Sequence, residues 1–149
     1  MDSKTEVKKP AHDLVNAMLN YGYAILASQI TNEILKNGLN PDIGIIHKDL
    51  DKRHSLTYDI IEEFRQQIVD KTILSIIHNK QISIADYDNE EISLDKRKLI
   101  INKIIEKLET DITYQNQKLT YHEIIEHQII KLKNTIQNDE EYNGFYNKW

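Results

Sequence analysis

Two carboxylates three residues apart, Asp59 and Glu62, follow a histidine, His47, that closes a short apolar run. Residues three apart on a helix share a face, so Asp59 and Glu62 present two oxygen donors side by side. A histidine joined to two carboxylates is a ligand set suited to manganese or magnesium in phosphoryl transfer. Between them runs a charged loop, Lys48 to His54, in which Lys48, Lys52, Arg53 and His54 are candidates for positioning phosphates beside such an ion. A plainer reading competes. Acids in the first turns of a helix favour the macrodipole, and cations alternating with Asp49 and Asp51 make an ordinary solvated loop.

The elements that must position these residues read as helical. Residues 1–11 are polar and lysine-rich and are expected to be flexible, ahead of a single α-helical domain over 12–149. Asp13 is the expected N-cap of a helix reaching about Asn37, with Gly38 to close it and Pro41 to prevent its resumption. Leu14, Met18, Tyr21, Ala24 and Ile25 lie on that helix at helical spacing. Gly22, inside it, weakens the helix by about 1 kcal/mol relative to alanine, which predicts a close helix–helix crossing. Ile43 to Ile46 is a short, extended apolar run leading to His47.

A second helix is expected from Ser55 to about Asn79, with Leu56, Ile60, Phe64 and Ile68 opposite the acidic face. By Ile76 and Ile77 it is apolar nearly all round, which predicts that the acidic stripe borders a cleft. Ile82 to Tyr87 reads as a short turn or strand, and Asp86 to Glu91 as an acidic loop. Two amphipathic helices follow, one carrying Leu99, Ile100, Ile104, Leu108 and Ile112, the other Ile125, Ile129, Leu132 and Ile136. The fold class is therefore all-α.

Composition narrows the function classes. With 40% hydrophobic and 29% charged residues, the 149-residue chain is an ordinary globular sequence. It has no cysteine, which removes disulfides and thiolate metal sites. No apolar run is long enough to span a bilayer and the N-terminus lacks a signal-peptide core, so no membrane partner and a cytoplasmic location are expected. A net charge of −5 argues against a broad nonspecific DNA-binding face, leaving room for a local patch. The stretch His122 to His127, H-E-I-I-E-H, approaches the zinc-protease spacing H-E-x-x-H. Its histidines are five apart and diverge on a helix, so Glu123 with His127 is expected to be a surface pair.

Three blocks carry a family resemblance: N-A-M-L-N-Y-G-Y-A-I-L (Asn16 to Leu26), G-L-N-P-D-I-G-I-I-H (Gly38 to His47) and S-L-T-Y-D-I-I-E-E-F-R (Ser55 to Arg65). In this order the chain resembles the C-terminal catalytic lobe of the CRISPR-associated endonuclease and integrase Cas-one, which joins foreign DNA into a CRISPR array. An aromatic C-terminus, Tyr142, Phe145, Tyr146 and Trp149, is similar to the family's usual ending. The resemblance implies that His47 and Glu62 bind the catalytic Mg2+ or Mn2+, with Asp59 as the neighbouring acid. It also implies DNA and the small second CRISPR adaptation protein as partners, with the missing N-terminal half or another copy of the integrase.

The family's third ligand is a glutamate upstream of the Asn-Ala-x-Leu block. Glu6, in T-E-V-K-K, does not match its setting. The N-terminal β-rich domain of the family is also absent from these residues, so the resemblance covers roughly the second half of an intact integrase. The implied function is a partial integrase with little activity alone. The alternative is a non-enzymatic helical interaction or DNA-scaffolding module, or the remnant of a degraded CRISPR system.

Overall fold

The computed structural model describes residues 3–42, 44–45, 54–138 and 145. It is a helical assembly organised around α1 (Ser3–Lys36), the element that the other helices pack against. The helix begins at Ser3, ten residues before the expected cap at Asp13. Lysine, glutamate and alanine before Pro10 and Asp13 are good helix formers, and Asp13 is exposed on the continuing helix. Among the positions of α1 whose burial is described, the fully or nearly buried apolar ones are Leu14, Met18, Leu26, Ile30 and Ile34, with Gly22 completing the same four-residue series. Tyr21 and Ile25 are only half-buried and Ala24 is exposed, so the core stripe differs from the one expected. Four residues advance about 40° beyond one 3.6-residue turn. A series with that period winds around the helix, which is how α1 meets different partners along its length.

α1 ends as expected. Gly38 has φ +75°, Leu39 N–H donates to Ile34 O at 3.1 Å, and Gly38 N–H donates to Leu35 O at 3.0 Å. That is a Schellman stop, available to glycine without a Cβ penalty.

The two-residue strands β1 (Gly44–Ile45) and β2 (His54–Ser55) pair antiparallel, Ile45 opposite His54. Leu56 N–H donates to Pro41 O at 3.1 Å, tying the start of the second helix to the end of the α1 turn. Helix α2 (Leu56–Arg65) passes through a π-helical turn, Gln66–Asp70, into α3 (Lys71–His78). Its buried series runs Leu56, Ile60, Phe64, Ile68, then restarts one residue later as Val69, Ile73, Ile76. The wide turn accommodates one extra residue and rotates the buried face between the two halves. The far end is not buried all round: Leu74 is 58% and Ile77 36% exposed. Leaving these side chains in water removes the reason to expect a cleft beside the acidic stripe.

The crossing predicted at Gly22 is present. A Cβ built there would stand 2.6 Å from Val69 Cγ1, inside van der Waals contact. Gly22→Ala is expected to destabilise the protein by about 1 kcal/mol net, because overpacking of about 1–3 kcal/mol outweighs the gain in helix propensity. Gly22→Ala should cost less in a Val69→Ala background than in the parent, because the clash is then already relieved. Additive effects of the two substitutions in urea unfolding would show that the crossing relaxes elsewhere.

After α3 the chain makes a 3-10 turn, Ile84–Asp86, where Ser83 and Asp86 form a reciprocal capping box. The expected acidic loop is a β-hairpin, β3 (Tyr87–Asp88) and β4 (Glu91–Ile92). Asn89 and Glu90 both take positive φ at its tip, the backbone that reverses a two-residue hairpin. Helix α4 (Leu94–Leu108) ends before Ile112, which lies in a second hairpin, β5 (Asp111–Tyr114) with β6 (Gln117–Thr120). Alternating half-burial of Ile112 and Tyr114, with positive φ at Gln115 and Asn116, marks this as strand and turn. Helix α5 (Tyr121–Asn138) buries Ile125, Ile129 and Leu132 and leaves Ile136 49% exposed. Among the described residues, three two-stranded ladders decorate a helical core, and the all-α class stands.

Candidate metal and nucleic-acid site

Asp59 and Glu62 both lie on α2, outside its buried series Leu56, Ile60 and Phe64. Asp59 is half-buried and Glu62 exposed. Arg65, three residues on, pairs with Glu62 at 3.2 Å. The same guanidinium sits 5.8 Å over the Tyr23 ring of α1, and Tyr23 O–H donates to Asp70 Oδ1 in the π-turn. Burial, followed by the hydrogen bond to Asp70 and its charge, pushes the Tyr23 hydroxyl up to about 12. A polar network thus joins Glu62, Arg65, Tyr23 and Asp70 across the α1–α2 contact. Tyr23 and Arg65 fall within the recognised sequence blocks, but their partnership depends on the helix crossing and has no signature in spacing.

His47, Lys48, Lys52 and Arg53 lie outside the described residues. His54 is a strand residue opposite Ile45, not part of the expected loop, because it takes part in the β1–β2 ladder. Both strands contact α2.

The acids offer hard oxygen donors one helical turn apart, chemistry that fits a divalent cation such as Mg2+ or Mn2+. Among the described residues, no three His, Asp or Glu side chains stand together closely enough to hold an ion. The two acids of α2 therefore fit such an ion in kind, and need further donors to hold it.

The H-E-I-I-E-H stretch does other work. Thr120 and Glu123 cap α5: Glu123 N–H donates to Thr120 Oγ1 at 3.1 Å, and Thr120 N–H donates to Glu123 Oε2 at 3.4 Å. His122 bridges two carboxylates, Glu33 of α1 at 2.9 Å through Nε2 and Glu109 after α4 at 3.2 Å through Nδ1. The hydrogen bond to Glu33 raises the His122 pKa above its ordinary value; burial opposes this, and Glu109 adds to it. Burial alone would push the Glu33 carboxyl up, yet the hydrogen bonds from His122 and Lys36 hold it below its ordinary value. Sequence reading dismissed this stretch as a metal motif and missed its role as a clasp between three helices, since Glu33 is remote along the chain.

Residues 3–110 match the family model for CRISPR associated protein Cas1. The chain is 47% identical over 140 residues to CRISPR-associated protein Cas1 3 of Methanobrevibacter ruminantium, covering 93% of this chain and 42% of the relative. It is 35% identical over 143 residues to CRISPR-associated endonuclease Cas1 1 of Archaeoglobus fulgidus, covering 93% and 41% respectively. It superposes on a Cas1 protein from Thermotoga maritima with a TM-score of 0.74 at 22% identity, over 82% of this chain and 39% of that one. A casposase bound to integration product gives 0.72 at 26% identity, over 85% and 36%. The chain spans less than half the length of the curated relatives it matches. From its first helix through α4, sequence and fold agree on one assignment: the chain belongs to the Cas1 family.

Proposed function

We propose that this chain carries part of a divalent-metal site for DNA strand joining, with His47 and Glu62 as ligands and Asp59 supporting them. The observation that carries this reading is the pairing of Ile45 with His54 beside α2. His47 follows Ile45 by two residues in sequence, and Ile45 lies in the β1–β2 ladder that contacts the helix bearing both acids. Lys48, Lys52 and Arg53 lie in sequence between the paired residues Ile45 and His54, and these three with His54 are the cations proposed to meet the phosphates of a DNA partner. A bound Mg2+ or Mn2+ would polarise the scissile phosphate and stabilise the oxygens of an in-line displacement.

Within that reading, Arg65 holds the Glu62 carboxylate in place and tempers its charge. Membership of the family, and a solved relative described as a partial Cas6-RT-Cas1–Cas2 complex, favour Cas2 as a protein partner alongside DNA. A second reading, a helical interaction or DNA-scaffolding module without catalysis, is favoured by the Glu62–Arg65 ion pair, which already satisfies one proposed ligand.

Manganese titration of the 149-residue chain, followed by paramagnetic broadening of its NMR spectrum, separates the two. Weak binding centred on Asp59 and Glu62 is expected, with little or no strand transfer, because few protein ligands hold a hard cation poorly. Glu62→Gln should weaken binding by about tenfold, the loss of roughly 1.4 kcal/mol, and His47→Ala by a similar factor. Arg65→Ala should tighten it, since a competing cation is removed. Broadening that ignores all three substitutions would leave the non-enzymatic reading standing.

A further inference from the structure

A cleft of about 210 Å³ opens between α3 and α4, with Lys71, Ser75, Lys103, Lys107 and Thr110 in its wall and Glu106 beside them. Three half-buried lysines converge there from two helices, in a chain whose net charge is −5. Like charges brought together repel, and an anion bound between them would relieve that repulsion. Glu106 lies 3.8 Å from Lys103, and Lys107 lies 5.7 Å over the Tyr121 ring. Among the described residues, the ammonium groups of Lys71, Lys103 and Lys107 share the cleft wall with Glu106. Burial pushes the Lys107 ammonium below its ordinary value, and Lys71 pushes it the same way. Ser75 Oγ accepts from Asn79 Nδ2 at 3.4 Å, which leaves its own O–H able to donate.

We propose that this cleft binds a phosphoryl group, held by the ammonium groups of Lys103 and Lys107 and the Ser75 hydroxyl, within the added positive field of Lys71. The space equals several water volumes at about 30 Å³ each, so a tetrahedral oxyanion has room beside its donors. Free phosphate ion and the backbone phosphate of a nucleic acid share this chemistry. The proposal does not depend on the metal reading of α2, and Glu62→Gln is expected to leave phosphoryl binding unchanged.

Two probes test it on the 149-residue chain: inorganic phosphate, followed by NMR shifts along α3 and α4, and a short duplex oligonucleotide, followed by fluorescence anisotropy over a range of salt. Lys103→Gln and Lys107→Gln should each weaken binding about three- to tenfold, between the values for an exposed ion pair and a buried charge-assisted bond. Glu106→Gln should tighten it by removing the opposing charge. Each lysine that contacts the duplex should also lower the slope of log affinity against log salt by about 0.9 when removed. Thermal unfolding of both lysine variants should match or exceed that of the parent, because repulsion is relieved. Weakened binding of the ion assigns free phosphate, and weakened binding of the duplex alone assigns the backbone phosphate. Folded lysine variants that bind both probes like the parent would overturn the proposal.

Discussion

Phe64→Ala is expected to destabilise the protein by about 3–5 kcal/mol, the usual cost of emptying a buried phenylalanine site. Phe64 is fully buried on α2, between the two residues of the Glu62–Arg65 pair in sequence. It stacks on Phe145 with ring centroids 4.7 Å apart and planes within 4°. Tyr114 of β5 meets Phe145 edge-on at 5.2 Å, and Phe145 N–H donates to Glu63 Oε2 at 3.2 Å. Through Phe145, this ring connects the second hairpin to the helix that carries the candidate acids. Urea unfolding should show a lower midpoint with little change in slope, the signature of lost stability without altered compactness. Phe145→Ala should cost less, since it lies at the margin of the cluster. A loss below about 1 kcal/mol for Phe64→Ala would mean that the aromatic cluster contributes little to the fold.

The His122 clasp is expected to make stability fall with rising pH above neutrality. The folded-state pKa of His122 is raised above 6.5, so its contribution is fully present below 6.5 and lost as pH rises through the higher folded value. The folded-state pKa of Glu33 is lowered below 4.5, so its contribution is present above 4.5 and lost as pH falls through the lower folded value. The clasp is at full strength between those two limits. Glu33, Lys36 and Glu109 are the charged groups facing it. His122→Ala should cost about 2 kcal/mol at pH 6, where a charge-assisted bond to the nearly buried Glu33 carboxylate is lost and the exposed bond to Glu109 adds little. The cost should shrink as pH rises through the folded-state pKa of His122, because the parent then loses the imidazolium. Unfolding midpoints recorded from pH 4 to 9 check this. Parallel curves for parent and variant would mean that His122 does not titrate across the window.

The helix crossing at Gly22, the stop at Gly38 and the α2 core series from Leu56 to Ile68 were all legible in the sequence. Each depends on local chemistry: a residue without a Cβ, a left-handed stop, or apolar spacing that matches the helix repeat. Family membership was legible for the same reason, since the three blocks keep their order and composition along the chain. The pairing of Asp59 with Glu62 on one face needed only the helical repeat.

Tertiary structure decided what depends on partners remote in sequence. Asp13 has cap chemistry, yet α1 runs through it and leaves Asp13 exposed on the continuing helix. The change of buried face between Ile68 and Val69 required the π-turn, which lets both halves of the helix reach the core. Ile112 carries helical spacing but joins a strand, since its hairpin mate Leu119 packs on the same core. His122 resembled half of a metal motif until Glu33 and Glu109 met it across three elements. The lysine cleft likewise exists only because α3 and α4 bring distant cations together, where charge count along the chain showed an acidic protein. Periodicity records which face a residue takes on its own helix, whereas what lies opposite that face is set by how the helices pack.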